Sequence, residues 1–228
     1  MTALGKRSVF FVIIVFIFTV AACDTAPPEL QQVYWQLNVK NDVVSLQVYE
    51  TLSVWVQARD EDGPDDLDYI YLIHDESELM WEISADVWNE AEQQGERWYG
   101  TNELVQADLS NFPRGEYRIV VLDTAGERDE RTIYISLQKN ITETAQLPEA
   151  ESEEGGLAVS KAPFGFTIWG YNEDGNFIAS IRDRSKPVPF EELEEQIPGM
   201  SSFSIYSYNI NDGYGIVSGM YKYVLLVP

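Results

Sequence analysis

The chain has 228 residues, of which 38 are acidic and 15 are basic, so its formal charge is −23. This excess of negative charge argues against a nucleic-acid partner and favours cations or basic surfaces. A single cysteine and a single histidine exclude disulfides and cysteine-rich zinc sites, and they limit histidine-based metal sites and catalytic triads. With 45% hydrophobic residues, the chain is long enough to bury a core in one or two domains.

The N-terminus has the parts of a secretory signal. Lys6 and Arg7 are followed by an apolar run and then by small residues, which is the order of regions in a signal peptide. The apolar stretch Val9–Ala22 is 14 residues long, shorter than the roughly 17 to 25 residues with which a helix spans a bilayer. We therefore expect a cleaved signal peptide over residues 1–22 and no transmembrane anchor there.

The residues that end at the single cysteine, Val20-Ala21-Ala22-Cys23, resemble the lipobox of bacterial lipoproteins. The resemblance implies that the Cys23 thiol receives a diacylglyceryl group and that Cys23 becomes the new N-terminus. Two or more acyl chains anchor a protein stably to a membrane. We therefore predict a lipid-anchored protein of the bacterial cell envelope, on the periplasmic side of a membrane or at the cell surface, with residues 23–32 as a tether. The alternative is an ordinary signal peptide with a chance cysteine.

Residues 33–138 contain short runs rich in Val, Ile, Tyr and Trp, separated by turn clusters. This spacing is typical of an antiparallel β-sandwich. The predicted strands are 33–39, 43–48, 52–59, 68–74, 79–83, 102–107, 116–123 and 131–137. One helix is predicted over residues 84–95, because Ser84 can cap its first turn and Gly95 can end it.

The stretch Leu109–Ile135 contains a leucine, a P-x-G-x-Y motif, a D-x-x-G turn and a closing strand. It resembles the end of a bacterial immunoglobulin-like or fibronectin-III-like domain, and the resemblance covers residues 33–138. It implies that Tyr117 is the tyrosine-corner residue, whose hydroxyl bonds to the backbone just upstream. It also implies that Trp55 is a core aromatic residue.

The second half of the chain has a different pattern. Residues 139–159 are polar and acidic, and we interpret them as a linker. For residues 160–228, the predicted strands are 163–170, 177–182, 202–210 and 215–227, with a helix over 187–199 and Asp-Gly turns in both hairpins. The predicted fold class is therefore mainly β: an N-terminal immunoglobulin-like antiparallel β-sandwich followed by a small ββαββ, or α+β, C-terminal unit. The alternative for the ββαββ part is a sheet that extends the sandwich.

The most acidic loop, RDEDGPDDLDY over residues 59–69, is a candidate calcium site. Calcium binds oxygen ligands, and the candidate ligands are Asp60, Asp62, Asp65 and Asp66. The EF-hand pattern does not fit, because placing Gly63 at its glycine position would make Ala58 and Tyr69 ligands. The alternative is a sharp acidic turn, since aspartate and glycine favour turn conformations.

Aromatic residues are candidates for ligand recognition, because exposed Trp and Tyr side chains suit protein and glycan binding. The candidates are Trp81, Trp88, Trp98, Tyr206, Tyr208, Tyr221 and Tyr223. The alternative is that these rings form a core or an interdomain contact. His74, near the end of a predicted strand, is interpreted as a surface residue, because its neighbours Asp75 and Ser77 cannot form a triad with it.

The sequence contains no Gly-rich phosphate loop, HExxH motif or CxxC motif, so we predict no catalytic residue. The favoured hypothesis is a non-catalytic cell-envelope lipoprotein that acts as a protein-binding or assembly module. The alternatives are glycan- or calcium-assisted ligand binding and an uncharacterised envelope enzyme. The expected partners are the membrane, through Cys23, and an envelope protein or glycan. No cofactor is required, and calcium enters only with the second hypothesis.

Overall fold

The computed structural model describes residues 26–42, 47–136, 140–153, 155–182 and 187–223. The predicted signal peptide, Cys23 and most of the predicted strand 43–48 lie outside these ranges, so cleavage and lipidation stay predictions. Within these ranges, no helix is long and apolar enough to cross a membrane.

Strands dominate the described residues, which confirms the mainly β prediction. They are β1 (Glu29–Asn41), β2 (Val48–Arg59), β3 (Leu67–His74), β4 (Leu79–Ser84), β5 (Asn89–Gln93), β6 (Glu96–Leu104), β7 (Gly115–Asp123), β8 (Arg128–Ile135), β9 (Glu149–Glu153), β10 (Gly156–Ser160), β11 (Thr167–Tyr171), β12 (Phe177–Arg182), β13 (Val188–Pro189), β14 (Ser202–Asn209), β15 (Tyr214–Val217) and β16 (Tyr221–Lys222). The helical elements are α1 (Ile141–Thr144), α2 (Phe190–Gln196) and 3-10 turns at Pro64–Asp66 and Asp75–Ser77.

The strands β1 to β8 form an immunoglobulin-like sandwich. One sheet contains the order β1-β2-β6-β5 and the other has the order β4-β3-β7-β8. These orders correspond to strands A-B-E-D and C′-C-F-G of an immunoglobulin domain. Inward-facing side chains of the two sheets form one apolar core, which includes Leu37, Val54, Ile70 and Ile119. The predicted immunoglobulin-like sandwich is therefore confirmed.

Alternation along β1 gives this strand two different faces. Leu37 and Val39 are fully buried in the sandwich core, whereas Gln36, Asn38 and Lys40 line a cavity on the opposite face of the sheet. Successive side chains of a strand point to opposite faces, so the polar residues between the apolar ones cannot enter the core. β1 thus separates the core from a polar outer face.

Buried polar contacts fix the corner before β7. The Tyr117 hydroxyl donates to the Pro113 carbonyl oxygen at 2.8 Å, and burial raises the pKa of this tyrosine. The Arg114 guanidinium donates to the Glu50 carboxylate at 2.6 and 2.9 Å, and the Phe112 N–H donates to the same carboxylate at 2.9 Å. Since Glu50 is fully buried, these donors replace the water that its charge would otherwise need.

The two halves of the chain share one sheet. β15 pairs with β1 in parallel, with Asn38 opposite Gly215 and Lys40 opposite Val217. The first sheet of the sandwich therefore continues in the order β12-β11-β14-β15-β1-β2-β6-β5, which we call the shared sheet. Gly215 permits the close approach of the Asn38 side chain to β15, because a Cβ at this position would lie 2.1 Å from Asn38 Oδ1.

In the C-terminal half, a helix and a small sheet cover the inner face of the shared sheet. Leu193 of α2 and Leu157 of β10 are fully buried in one apolar cluster with Phe203 and Ile205 of β14. β9, β10 and β13 form a separate small sheet in the order β13-β10-β9. The described elements thus add β9, β10, β13 and β16 to the predicted ββαββ order.

The predicted helix over residues 84–95 is wrong. After a turn, this stretch forms β5, which pairs with β6 as an antiparallel hairpin. Gln94 and Gly95 have positive φ angles of 57° and 82°, so Gly95 lies in a hairpin turn and does not end a helix. All residues of β5 are exposed, and pairing with β6 on the edge of the sheet overrides the helix propensity of its glutamates.

The stretch 139–159 is more than a polar linker in its described residues. It contains α1, β9 and β10. Ile141 packs in the sandwich core and Leu157 in the C-terminal core. The glutamates of β9 are exposed, so their charge stays in water while the apolar residues around them pack. The predicted tether 23–32 is also too long, because β1 begins at Glu29.

Two further side-chain placements were predicted wrongly. Trp55 lies on the outer face of β2, since its neighbours fill the core, and its indole N–H donates to Asn102 Oδ1 at 2.8 Å. His74 is buried, with 2% of its surface exposed, and lies 4.6 Å from the ring of Tyr117. Its Nδ1 accepts the Ser77 N–H at 3.2 Å, so the histidine caps a turn inside the sandwich.

Candidate binding trough

The outer face of the shared sheet, opposite the two cores, forms a trough with a volume of about 630 Å³. We call it the binding trough. Its lining includes Tyr34, Gln36, Asn38, Lys40, Tyr49, Thr51, Ser53, Glu103, Trp169, Tyr171, Ser204, Tyr206, Val217 and Met220. The trough crosses six neighbouring strands, β6, β2, β1, β15, β14 and β11, and neighbouring strands lie about 4.8 Å apart, so it is about 24 Å wide across the sheet. Both halves of the chain therefore contribute to one site.

Small polar side chains form the floor of the binding trough. Asn38 and Thr51 lie opposite each other on β1 and β2, as do Gln36 and Ser53. The Asn38 amide donates to Ser53 Oγ at 3.1 Å and to the Gln36 carbonyl oxygen at 3.2 Å. Ser204 continues the floor on the C-terminal side and, like Asn38, Thr51 and Ser53, is buried. The floor thus presents hydroxyl and amide groups whose orientation the sheet fixes.

Aromatic side chains from both halves form the walls. Trp169 of β11 and Tyr206 of β14 stack with their ring centroids 4.9 Å apart and an interplanar angle of 13°. The Tyr171 hydroxyl lies 3.3 Å from Ser204 Oγ. Tyr34 stands at the rim on β1 and is 49% exposed. Because the stacked rings are already held by their neighbours, a ligand that contacts them immobilises few additional side chains.

Burial keeps the tyrosines of the walls neutral. Burial, followed by the nearby Tyr34 and Tyr208 hydroxyls, raises the pKa of Tyr206 to about 12. Burial also raises the pKa of Tyr171, although its hydrogen bond with Ser204 acts in the opposite direction. Neutral phenols both donate and accept hydrogen bonds, so these side chains suit a ligand that carries hydroxyl groups.

One ion pair lies on the wall of the trough. The Lys40 ammonium donates to both carboxylate oxygens of Glu103, at 2.9 and 3.0 Å. Burial lowers the pKa of Lys40, but the attraction and the hydrogen bond of Glu103 outweigh this effect and leave the pKa raised. The positive charge of Lys40 is therefore already matched by a carboxylate of the trough itself.

The acidic loop lies elsewhere, and the structure brings together three of its four predicted calcium ligands. Oxygen atoms of Asp60, Asp62 and Asp66 lie within 4.8 Å of one another, and Asp65 is outside this group. Asp60 Oδ1 accepts the Asp62 N–H at 2.8 Å, and Asp62 Oδ2 accepts the Ala26 N–H at 3.2 Å. The first of these hydrogen bonds closes the acidic turn, the second joins it to the segment just before β1, and calcium binding stays a prediction.

The predicted binding aromatics separate into two groups. Tyr206 lines the trough, and Tyr208 lies two residues further on the same face of β14. The others are Trp81, Trp88, Trp98, Tyr221 and Tyr223. Trp81 and Trp88 pack against the sandwich core, and both C-terminal tyrosines pack in the second core, so these rings serve stability. Trp98 is half-buried on β6, outside the lining of the trough.

Sequence reasoning missed most residues of the trough, including Tyr34, Trp169 and Tyr171. A signal was present in YWQLNVK, residues 34–40, where polar or aromatic residues alternate with apolar ones as in a strand with two different faces. A similar alternation occurs in TIWGY, residues 167–171. The sequence carries no corresponding signal for the pairing of β1 with β15, which brings these faces together.

The chain matches no protein-family profile and no curated protein. Among solved structures, it is similar to the BSP domain of a biofilm-associated protein, with 11% identity and a TM-score of 0.29 over 84% of this chain, and it spans 29% of that protein's length. It is also similar to the crystal structure of Dpr11 IG1 bound to DIP-gamma IG+IG2, with 12% identity and a TM-score of 0.23 over 85% of this chain and 98% of the other. Similarities this weak carry no argument, so the immunoglobulin-like assignment rests on the strand order.

Proposed function

We propose that this chain is a non-catalytic binding module of the bacterial cell envelope and that the binding trough holds its ligand. One observation supports this function above all: the two halves, joined in the shared sheet, together build a concave site with a polar floor and aromatic walls. Ligand sites of proteins are typically concave, with ring faces and a few placed polar groups, and have volumes of roughly 300 to 1,000 Å³. The trough, at about 630 Å³, lies in this range.

The chemistry of the lining favours binding over catalysis. A general acid or base works best when its pKa lies near the operating pH. Lys40 and Glu103 hold each other in an ion pair, and the pKa of Tyr206, raised to about 12, keeps its phenol protonated. These groups can therefore hold a ligand by hydrogen bonds, and they are poorly suited to exchange protons with it.

A lipid anchor on Cys23 would hold this site close to a membrane. β1 begins at Glu29, so only Asp24–Pro28 separate it from the cysteine, and five extended residues reach about 18 Å. We expect the full chain to incorporate radiolabelled palmitate in a bacterial host and the Cys23→Ala variant to remain unlabelled. Labelling of the variant would contradict the anchor and would leave the trough unaffected.

Photo-cross-linking in cells tests the trough as a binding site without assuming a ligand class. A benzophenone amino acid at Tyr34, which is 49% exposed at the rim, reacts with C–H bonds of either proteins or glycans. We expect irradiation to produce a specific product of higher mass from the full-length chain. Protease treatment and periodate oxidation of this product then distinguish a protein ligand from a glycan.

A matched control position is Tyr134 on β8, which is 63% exposed and lies on the other sheet of the sandwich. The same benzophenone residue at Tyr134 should give no such product. Equal products at both positions, or none at Tyr34, would show that the trough does not hold the ligand.

A further inference from the structure

The lining of the binding trough also identifies a ligand class. We propose that the trough binds a segment of an uncharged glycan, an inference that rests on the function proposed above. Sugars combine hydroxyl groups around their edges with apolar C–H faces. The trough offers the complement of both: hydroxyl and amide groups on its floor and ring surfaces on its walls.

The floor favours a ligand with many hydroxyl groups. Asn38, Thr51, Ser53 and Ser204 are all at most 5% exposed, so a ligand that reaches them removes their remaining contact with water. An aliphatic or aromatic protein side chain inserted there would exclude water without adding a hydrogen bond to those that Asn38 makes with Ser53 and Ser204 makes with Tyr171, which costs free energy. Glycan hydroxyls both donate and accept and can satisfy hydroxyls and amides in several orientations.

The walls supply apolar contact through rings and little through aliphatic side chains. Trp169 and Tyr206 form a stacked pair, and Tyr34 and Tyr171 stand on either side of the junction between the halves. Aromatic rings offer large, rigid surfaces at low entropic cost, and Tyr adds a polar group at the edge.

Charge selects among glycans. The formal charge of the chain is −23, and the Lys40 ammonium at the wall is paired with Glu103 at 2.9 Å. A polyanionic polysaccharide would be repelled by the overall charge and would find this cation already neutralised. A polycation would be attracted to many acidic surfaces alike, so it would gain nothing specific from the trough. An uncharged glycan avoids both effects.

The position of the trough argues against an extended peptide. Peptides that bind sheets usually add a strand at an exposed edge, where backbone groups are unpaired. The trough lies on the face of the sheet, over β1, β15 and β14, whose backbone groups pair with one another. A peptide placed there would have to satisfy its own backbone N–H and C=O groups, whereas a glycan has no such requirement.

Isothermal titration calorimetry on the full chain in detergent tests the ligand class. The probes are three uncharged glycans (β-glucan, galactomannan and chitin oligosaccharides), the polyanions alginate and hyaluronan, and a proline-rich peptide. We expect at least one uncharged glycan to bind and both polyanions to give no heat. Raising the salt concentration from about 0.05 to about 0.5 M should leave the affinity for the uncharged glycan nearly unchanged, because screening affects only charged pairs.

Two variants locate the binding. Tyr34→Ala should weaken binding about tenfold, as expected for the loss of one aromatic contact, and Thr51→Val should weaken it about fivefold through the loss of one hydroxyl. Tyr134→Ala, on the other sheet, should bind as the unchanged chain does. The thermal midpoint of each variant should stay close to that of the unchanged chain, which separates lost contacts from lost folding.

The inference is overturned if no uncharged glycan of the set binds, if a polyanion or the peptide binds instead, or if Tyr34→Ala and Tyr134→Ala behave alike. Cross-linking at Tyr34 distinguishes this failure from failure of the proposed function. A cross-linked product that is a protein keeps the trough as a binding site and rejects the glycan. Absence of any product at Tyr34 rejects the site itself.

Discussion

The two halves of the shared sheet are covered in different ways on their inner face, and both contribute to the binding trough on their outer face. In the N-terminal half, a second sheet of four strands covers the inner face and encloses the sandwich core. In the C-terminal half, α2 and a small sheet cover it and enclose a separate core. On the outer face, polar β1 and β2 meet aromatic β11 and β14. Each half thus has a core of its own, although Tyr214 and Ile216 of β15 also pack in the sandwich core, and the binding trough needs both halves.

The largest difference between the halves concerns buried charge. Glu50 of the N-terminal half is fully buried and paired with Arg114, whereas Glu149 of the C-terminal half pairs with Lys161 at the surface. Glu50→Ala should lower the free energy of unfolding by about 3 to 5 kcal/mol, because it removes the carboxylate that balances the charge of a buried guanidinium. Glu149→Ala should cost less than about 1 kcal/mol. Urea unfolding measures the free energy of unfolding of both variants, and equal losses would contradict this contrast between buried and surface charge.

The next effect is expected at the junction between the halves. Gly215→Ala would place a Cβ 2.1 Å from Asn38 Oδ1, which forces β15 away from β1 and should cost about 1 to 3 kcal/mol. The cross-link at Tyr34 should disappear at the same time. Asn38→Ala in the Gly215→Ala background removes the clashing oxygen and should recover part of the stability in a double-mutant cycle. Simple additivity of the two losses would show that the clash is not the cause.

Alkaline pH tests the burial of the aromatic wall. The pKa of Tyr206 is raised to about 12 from an ordinary value near 10. The unfolded chain therefore loses this proton first, and the stability that is present below pH 10 is lost as the pH rises towards 12. With allowance for the partial exposure of Tyr206, the free energy of unfolding should fall by about 1 to 2 kcal/mol. Urea unfolding across this range should show a smaller loss for Tyr206→Phe than for the unchanged chain, and Tyr134→Phe should not reduce it.

A smaller effect is expected at the corner of the sandwich. Tyr117→Phe removes the hydroxyl that donates to the Pro113 carbonyl oxygen at 2.8 Å and keeps the ring in the core. The free energy of unfolding should fall by about 1 kcal/mol. Tyr134→Phe, at an exposed position of the neighbouring strand, should change the free energy of unfolding by a few tenths of a kcal/mol or less. A Tyr117→Phe variant as stable as the unchanged chain would mean that the corner bond contributes nothing.

The smallest effect is expected at the acidic loop of the N-terminal half. Asp60 already accepts the Asp62 N–H within the turn, and Asp62 accepts the Ala26 N–H, so we expect the same thermal midpoint in calcium and in chelator. If the loop bound calcium, free calcium at 100 times the dissociation constant would add about 2.7 kcal/mol to the free energy of unfolding. A rise of the midpoint in calcium that is abolished by Asp62→Asn would establish a metal site and contradict the turn interpretation.

Local patterns predicted the sandwich well. Short runs rich in Val, Ile, Tyr and Trp, and the turn clusters between them, indicated most strands of the sandwich without any long-range information. Predictions failed where pairing partners decide the structure. The glutamates of residues 84–95 favour a helix locally, but β6 offers an edge to pair with. His74 looked exposed in the sequence, yet the turn at Ser77 folds over it.

The binding trough could not be predicted for the same reason. The polar and aromatic residues of YWQLNVK are visible in the sequence, as are those of TIWGY. Each segment alone, however, predicts only that one face of its strand is exposed to solvent. The parallel pairing of Asn38 with Gly215 joins the two faces, and it depends on the close approach that the glycine permits. Such a contact between distant segments has no local signature.

Amide hydrogen exchange across the junction tests most directly whether one sheet runs through both halves. In the full chain, peptides that cover β15 and residues 34–41 of β1 should exchange nearly as slowly as those of β2 and β7, because paired strands open only with their core. Gly215→Ala should accelerate exchange in β15 and leave β7 protected. Fast exchange of β15 in the unchanged chain, beside a protected β7, would show two separately folded halves and would contradict the binding trough.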